Sequence, residues 1–357
     1  MAQRPTEKTP RSAGKPFRWG IVGAGVIAAQ FVEDMAEVEG AVAAAVTART
    51  KQSAERFASL HGVGRVCATI EEMLASGHVD AIYVASPNTT HAEIACQALA
   101  AGKPVLVEKP LAVSSREAER VAAAAARNGV LAMEGLWTRF LPAVGEVRRL
   151  LRAGAIGEVT AVEAELSYRH EQTDNRFFDP DLGGGAALDL GVYPLSLSLD
   201  LLGMPDRVQG RWWRAETGVD YRTEFLLHVG KARARLACSF DRDGANTFVI
   251  LGTRGAIAIQ APFLKAQKIC LYGTLAGKLP FVGARSRGLL AKLADGLPLP
   301  RRKVTRFPFE KGGLQFEIAA FMDAVRSGAK VSDVMPLADS IRVLEIIGSV
   351  LRRPPER

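Results

Sequence analysis

The sequence predicts an α/β protein in two parts: a doubly wound parallel sheet, then an α+β unit built on an open, largely antiparallel sheet. Three observations carry that expectation. From residue 17, short apolar runs alternate with longer amphipathic stretches, which is how βαβ units appear in sequence. A glycine-rich turn stands between the first run and the first stretch. After about residue 150 the period changes, and runs in which apolar and polar residues alternate take over.

Strands are expected at 17–22, 41–46, 81–85, 105–107 and 130–133, and helices between them at 27–36, 52–60, 91–101 and 116–128. Strands separated by helices run parallel, because a two-residue turn cannot bring the chain back in the same direction. Thr90-His91-Ala92-Glu93 has the S/T-x-x-E spacing of a capping box and predicts a helix start there. In the second part, Val162, Ala164 and Leu166 alternate with Glu163, Glu165 and Ser167 within 159–168, the signature of a strand with one wet face. Similar runs follow at 224–229, 232–239, 248–251 and 256–260. An apolar helix is expected at 186–203, and helices at 315–326 and 337–351 close the chain. No internal repeat is present. The division expected is a disordered basic tail over 1–16, a first domain over 17–140 and a second over 141–357, with a basic insertion at about 278–306.

A chain of 357 residues is long enough for two domains, each with a sizeable core. With 48% apolar and 24% charged residues its composition is that of an ordinary globular protein, which excludes disorder as the dominant state. The most apolar stretch, 186–203, is interrupted by Asp189, Pro194 and Asp200, so no membrane span is expected. Cys67, Cys96, Cys238 and Cys270 are scattered without a C-x-x-C pair; neither a disulfide framework nor a metal cluster is expected, and a cytoplasmic setting follows. The net charge of +8 is concentrated in residues 1–16, at +3, and 278–306, at +7, leaving the remainder near −2. No nucleic-acid-binding surface is indicated. The basic insertion is expected to be solvated.

Gly23-Ala24-Gly25-Val26-Ile27-Ala28 follows the first strand directly and opens the first helix, fitting G-x-G-x-x-G/A in the context that a dinucleotide site requires. Gly23 makes the tight turn, Gly25 lets the backbone approach a pyrophosphate, and Ala28 permits close packing of helix on sheet. At the end of the second strand an NAD site presents Asp or Glu to the ribose 2′-hydroxyl. Here Thr47, Arg49 and Thr50 stand with no acid, so the stretch suits the 2′-phosphate of NADP better than NAD, with solvated loop charges as the alternative reading of Arg49 and Lys51.

Glu108-Lys109-Pro110 lies at the carboxyl end of the fourth strand, where open α/β sheets bind ligands. A lysine there can stabilise a developing alkoxide. Gly183-Gly184-Gly185 opens the apolar helix that carries Asp189 and Tyr193, four residues apart and therefore on one face. A tyrosine near a lysine cation can have its pKa lowered and relay a proton.

These motifs, with Ser86-Pro87-Asn88-Thr89-Thr90-His91, the phrase AGKPVLVEKP at 101–110, EGLWTRFLP at 134–142 and MPLADS at 335–340, resemble the Gfo/Idh/MocA family of oxidoreductases over about 17–352. With tyrosine where most of that family has histidine, the chain is similar to the branch of dimeric dihydrodiol dehydrogenases and NADP-linked xylose dehydrogenases. The resemblance implies a Rossmann domain, then a substrate domain whose sheet often mediates dimerisation. It implies that Lys109 is the catalytic lysine and touches the nicotinamide ribose, that Tyr193 transfers the proton, and that Asp189 orients substrate. Val26, Ile27, Ser86, Asn88, His91 and Glu108 are then expected beside the cofactor, and Trp137, Arg139 and Arg176 along the substrate pocket. The expected activity is hydride transfer between NADP and a secondary hydroxyl, carbonyl or hemiacetal carbon of a sugar, polyol or trans-diol. The rival is a dinucleotide-binding sensor of the same fold without turnover.

Overall fold

Short strands buried on both faces build the first sheet, as a parallel sheet covered by helices requires. β1 (Phe17–Val22), β2 (Ala41–Thr47), β3 (Ala81–Val84), β4 (Val105–Glu108) and β5 (Ala132–Gly135) pair in parallel in the order β2-β1-β3-β4-β5. The connecting helices are α1 (Val26–Met35), α2 (Lys51–His61), α3 (Ile70–Ala75), α4 (His91–Ala100) and α5 (Ser115–Asn128). The computed structural model describes residues 15–171, 176–273 and 302–356.

α6 (Pro142–Arg152) leads from the first sheet to β6 (Val159–Ser167). A π-turn over Ala187–Gly191 then runs into α7 (Val192–Leu202). The stretch Pro180–Leu202 is long and apolar enough by composition to cross a membrane, yet 78% of its most apolar window is buried inside the protein, where it serves as a core helix. β7 (Arg207–Arg214), β8 (Asp220–Val229), β9 (Ala232–Ser239), β10 (Phe248–Gly252), β11 (Gly255–Ile259), β12 (Lys268–Gly273) and β13 (Arg302–Arg306) complete a sheet ordered β13-β12-β11-β10-β6-β9-β8-β7. Its pairs are antiparallel except β6 with β9. Helices α8 (Gln315–Arg326) and α9 (Leu337–Leu351) end the chain.

Several local expectations are corrected. The fifth strand begins at Ala132, two residues later than expected, because the Val130 N–H is taken by the Ala125 carbonyl in the C-terminal cap of α5. The capping box at Thr90 does not form: a 3₁₀ turn over Asn88–Thr90 precedes the helix, the Thr90 hydroxyl donates to Ser86 Oγ and the Pro87 carbonyl, and Glu93 reaches Arg120 instead. The same spacing does cap α3 and α5, where Thr69 accepts Glu72 N–H and Ser114 accepts Glu117 N–H, while each glutamate accepts a backbone N–H from just outside the helix. The end of the basic segment, Arg302–Arg306, is the edge strand β13, whose cations suit an edge exposed to water. Residues 1–14 of the expected tail and 278–301 of the basic segment lie outside the described residues.

Packing contacts cross the expected division at 140/141. Phe321 of α8 lies 5.0 Å from Trp19 of β1, which also meets Phe31 of α1, itself stacked on Tyr83 of β3 at 3.6 Å. The C-terminal helix thus completes the aromatic core of the first sheet, and α9 packs on α5 and β5 as well as on α7.

The strap entering α8 is latched by Asp34 of α1, which is fully buried. Its Oδ1 accepts Gly312 N–H at 2.8 Å and Gln30 Nε2 at 2.7 Å, and its Oδ2 accepts Leu314 N–H at 2.8 Å. Removing the carboxyl strands two backbone donors, the buried Leu314 N–H and the half-buried Gly312 N–H. Asp34→Ala is therefore expected to cost about 2–5 kcal/mol in urea unfolding, and Asp34→Asn less, since one acceptor oxygen survives; an Asp34→Ala midpoint equal to the parent's would contradict the latch.

Candidate active site

The first part of the site is the turn after β1. Gly23 has φ +119°, and a Cβ there would fall 2.3 Å from the Ala85 carbonyl oxygen, so only glycine fits. A Cβ at Gly25 would meet no protein atom within 4 Å, and the neighbouring Val26 side chain is 90% exposed. Ala28 is fully buried against the sheet. An open backbone rim at a helix N-terminus, with one bare apolar side chain beside it, fits the pyrophosphate and flat ring of a dinucleotide.

At the end of β2 the three expected phosphate ligands part ways. Thr47 is buried, and its carbonyl accepts Gly23 N–H at 2.9 Å, which ties the second strand to the turn. The Thr50 hydroxyl caps α2 by accepting Ser53 N–H. The Arg49 side chain is exposed and makes no ion pair or hydrogen bond among the described residues.

The second part of the site joins the two halves of the chain. Lys109, at the end of β4, donates from Nζ to Asp189 Oδ1 at 2.7 Å and to the Asp189 carbonyl at 2.9 Å. The same nitrogen lies 5.2 Å from the centroid of the Tyr193 ring. Trp137 Nε1 donates to the Tyr193 hydroxyl at 3.2 Å. Burial pulls the Lys109 pKa down, but the Asp189 carboxylate outweighs it and the net shift is upward, so Lys109 is an ammonium at neutral pH. For Tyr193 the expectation of a lowered pKa is reversed: burial dominates the pull of Lys109 and pushes the hydroxyl up to about 12. Asp189, expected to orient substrate, holds Lys109.

The loop beside Lys109 is positioned from within. His91 is 1% exposed, with Nδ1 2.8 Å from the Pro110 carbonyl and Nε2 2.9 Å from the Ser86 carbonyl; burial lowers its pKa, so the neutral ring donates its single N–H to one of them while sitting between the loops that flank the site. Asn88 Nδ2 donates to the Gly183 carbonyl at 3.0 Å and joins the two halves at the glycine run. Glu108 is turned away from the cofactor turn: it accepts the Tyr83 hydroxyl at 2.5 Å and Lys109 N–H at 3.1 Å in the core. Arg139, expected in the substrate pocket, is 1% exposed and bonds Asp339 at 2.6 Å, the Val334 carbonyl and the Ser196 carbonyl; it is a structural tie between α7 and the start of α9. The Arg176 guanidinium stacks over Phe177, 4.8 Å from its centroid, and is not joined to Lys109, Asp189 or Tyr193.

Sequence reasoning missed a buried acid near Glu108. Glu317 of α8 is fully buried, and neither carboxyl oxygen has a hydrogen-bond partner. Burial first, then the charges of Glu108, Asp34 and Glu134, push its pKa well above 4.5, so it carries its proton. The available signal was its place four residues before Phe321, on the apolar face of a helix.

The family model described as an oxidoreductase family with an NAD-binding Rossmann fold matches residues 17–136, and the Gfo/Idh/MocA C-terminal domain matches residues 144–258. The chain belongs to the Gfo/Idh/MocA oxidoreductase family. This Gfo/Idh/MocA member is similar to trans-1,2-dihydrobenzene-1,2-diol dehydrogenase of Oryctolagus cuniculus, 31% identical over 92% of this chain and 96% of that protein. It is similar also to the Bos taurus protein of the same name, 29% identical over 94% and 96%. Among solved structures, a 3-ketoreductase from Actinomadura kijaniata in complex with NADP and TDP-benzene superposes with a TM-score of 0.76 at 25% identity, covering 94% of this chain and 97% of that one. An aldose-aldose oxidoreductase from Caulobacter crescentus shares the fold, with a TM-score of 0.79 at 22% identity over 95% and 97%.

The proton on Glu317 makes a signed prediction. Its folded pKa is raised, so its contribution to stability is full below the unfolded value, near 4.5, and is lost as pH rises through the folded pKa. Glu317→Gln mimics the neutral acid without titrating. The variant and parent are expected to melt together at pH 4, with the variant progressively more stable towards pH 8; a constant difference across that range would show that folding does not raise the Glu317 pKa.

Proposed function

We propose that this oxidoreductase is an NADP-dependent dehydrogenase or reductase acting on a secondary hydroxyl, carbonyl or hemiacetal carbon of a sugar, polyol or trans-diol. The observation that carries the reading is the meeting of Lys109, Asp189 and Tyr193 across the two halves of the chain. A family likeness to dihydrodiol dehydrogenases and to a 3-ketoreductase held with NADP supports it. The Gly23–Val26 turn would hold the cofactor, and Arg49 would meet the ribose 2′-phosphate through charge-assisted hydrogen bonds.

Bound nicotinamide supplies hydride exchange with the reacting carbon. The side chains manage the reacting oxygen. In the reducing direction that oxygen gains negative charge and needs a proton, which Tyr193 carries at neutral pH because burial holds its pKa at about 12. As the proton leaves, the phenolate is met by Trp137 N–H and by the Lys109 ammonium. In the oxidising direction the phenolate form of Tyr193, stabilised by the Trp137 N–H and the Lys109 ammonium, accepts the proton from the substrate hydroxyl. Tyr193 and Trp137, 7% and 9% exposed, keep water from the hydroxyl.

Two experiments test this. Arg49→Asp removes a charge-assisted bond worth about 1.5–3 kcal/mol and adds repulsion, so NADP affinity should fall at least about tenfold in a fluorescence titration. Unchanged affinity would remove Arg49 from the site. For the chemistry, aldoses, inositols, ketosugars and trans-diols are screened with NADP and NADPH by absorbance. On any substrate found, Tyr193→Phe should lower kcat by about 10²–10⁴-fold and Lys109→Met by at least as much, with cofactor affinity changed far less. Parent-like turnover in both variants would overturn the mechanism. Tight NADP binding without turnover of any substrate would favour the sensor.

A further inference from the structure

Asp220, the first residue of β8, lies outside every motif of the sequence and is 3% exposed. Its Oδ2 accepts the Ala187 N–H at 2.8 Å and the Thr223 hydroxyl at 2.6 Å. On the other side of the same carboxyl, a Cβ at Gly185 would fall 2.4 Å from Oδ1, and Gly185 has φ +120°. One buried carboxyl therefore bonds one end of a three-residue piece of backbone and packs closely against the other, where only glycine fits. That piece is the start of the π-turn, and Asp189 N–H bonds back to the Gly185 carbonyl at 3.0 Å.

A π-turn is rare and is held by its surroundings more than by its own hydrogen bonds. Here its geometry matters to the chemistry. In an i→i+5 pattern the Asp189 carbonyl would look to the nitrogen of Pro194, which has no hydrogen, and Lys109 Nζ donates to that carbonyl. The turn thus presents a carbonyl and a carboxylate to the ammonium together, and its last residue leads directly to Val192 and Tyr193. A rotation of the turn would move both acceptors and the Tyr193 ring relative to Lys109. No cation pairs with Asp220 among the described residues; the titratable neighbour behind it is the Cys238 thiol, which burial keeps protonated and which lies against the Thr223 carbonyl at 3.6 Å.

We propose that Asp220 is a positioning residue for the reaction: by bonding Ala187 N–H and lying close against Gly185 it sets the π-turn so that Asp189 and Tyr193 meet Lys109. The proposal rests on the hydride-transfer reading for its kinetic consequence, and its geometric claim is tested without turnover.

The full chain is compared with Asp220→Ala, Asp220→Asn and the milder Thr223→Val. Lysines are reductively methylated at neutral pH and quantified by peptide mass. Lys103, which donates to the Val79 carbonyl far from the turn, is the internal control. Asp220→Ala is expected to raise labelling of Lys109 severalfold with Lys103 unchanged, Thr223→Val to move it in the same direction, and Asp220→Asn, which keeps an acceptor oxygen, to stay near the parent. In kinetics, Asp220→Ala should lower kcat by about tenfold or more while the KM for NADP changes by less than about threefold, because misplacement harms the reacting geometry more than cofactor binding. Equal Lys109 labelling in parent, Asp220→Ala and Thr223→Val overturns the proposal, as does a parallel rise at Lys103, which would mark general loosening. If Asp220→Ala does not fold, Thr223→Val decides by the same comparison. A parent that turns over no substrate counts against the hydride-transfer reading, and the labelling still decides the positioning.

Discussion

Burying the Lys109 ammonium is possible because the Asp189 carboxylate comes to it from the other half of the chain, 2.7 Å away, with the two side chains only 15% and 17% exposed. An unpaired charge at that depth would be severely penalised, and removing one partner of a buried pair costs about 3–5 kcal/mol. The rest of the site arranges itself around that requirement. The apolar helix must lie across the end of β4, the glycine run must bend tightly enough to bring Asp189 round, and the loops on either side of Lys109 are braced by His91 and Asn88. The ion pair joins the two halves of the chain at the carboxyl end of the first sheet.

Burial also assigns the protons. Tyr193 is a neutral phenol because its surroundings penalise phenolate more than Lys109 rewards it. Glu317 is a neutral acid for the same reason, with neighbouring carboxyls adding to the effect. Asp220 is pushed up to about 6 by burial, held in check by its bonds to Thr223 and Ala187. Each of these buried acids has its charge limited by the lack of water. The aromatic column of Trp19, Phe31, Tyr83 and Phe321 seals this region, which is why a helix from the far end of the chain is part of the first sheet's core.

Similar sequence signals had different outcomes, and the differences have local causes. The S/T-x-x-E spacing forms caps at Thr69 and Ser114, which are themselves in extended conformation, and fails at Thr90, where a 3₁₀ turn has already placed the threonine in helical conformation. Lys109 and Arg139 are both cations beside turns that follow core strands. Lys109 finds an acid at the open end of the sheet, whereas Arg139 finds Asp339 and two carbonyls deep between helices and is consumed as structure. Nothing in the residues flanking Arg139 announces that partner, which lies 200 positions away.

The sequence by itself determined the architecture and singled out the candidate site residues. Period-2 and helical patterning, the turn from Gly23 to Ala28, and Lys109 at a strand end with Asp189 and Tyr193 on one helix are all local statements, and local sterics and amphipathicity decide them. The structure bore out the two sheets and brought the Lys109, Asp189 and Tyr193 side chains together. Only the tertiary structure decided what each polar group is spent on. Thr50 became a cap, Glu108 turned inward, Asp189 became the anchor of the lysine, and Asp34, Asp220 and Glu317 gained their roles from partners or neighbours on distant elements. Proton occupancy and partner choice depend on desolvation and on distances between remote segments, and those quantities exist only once the chain is packed.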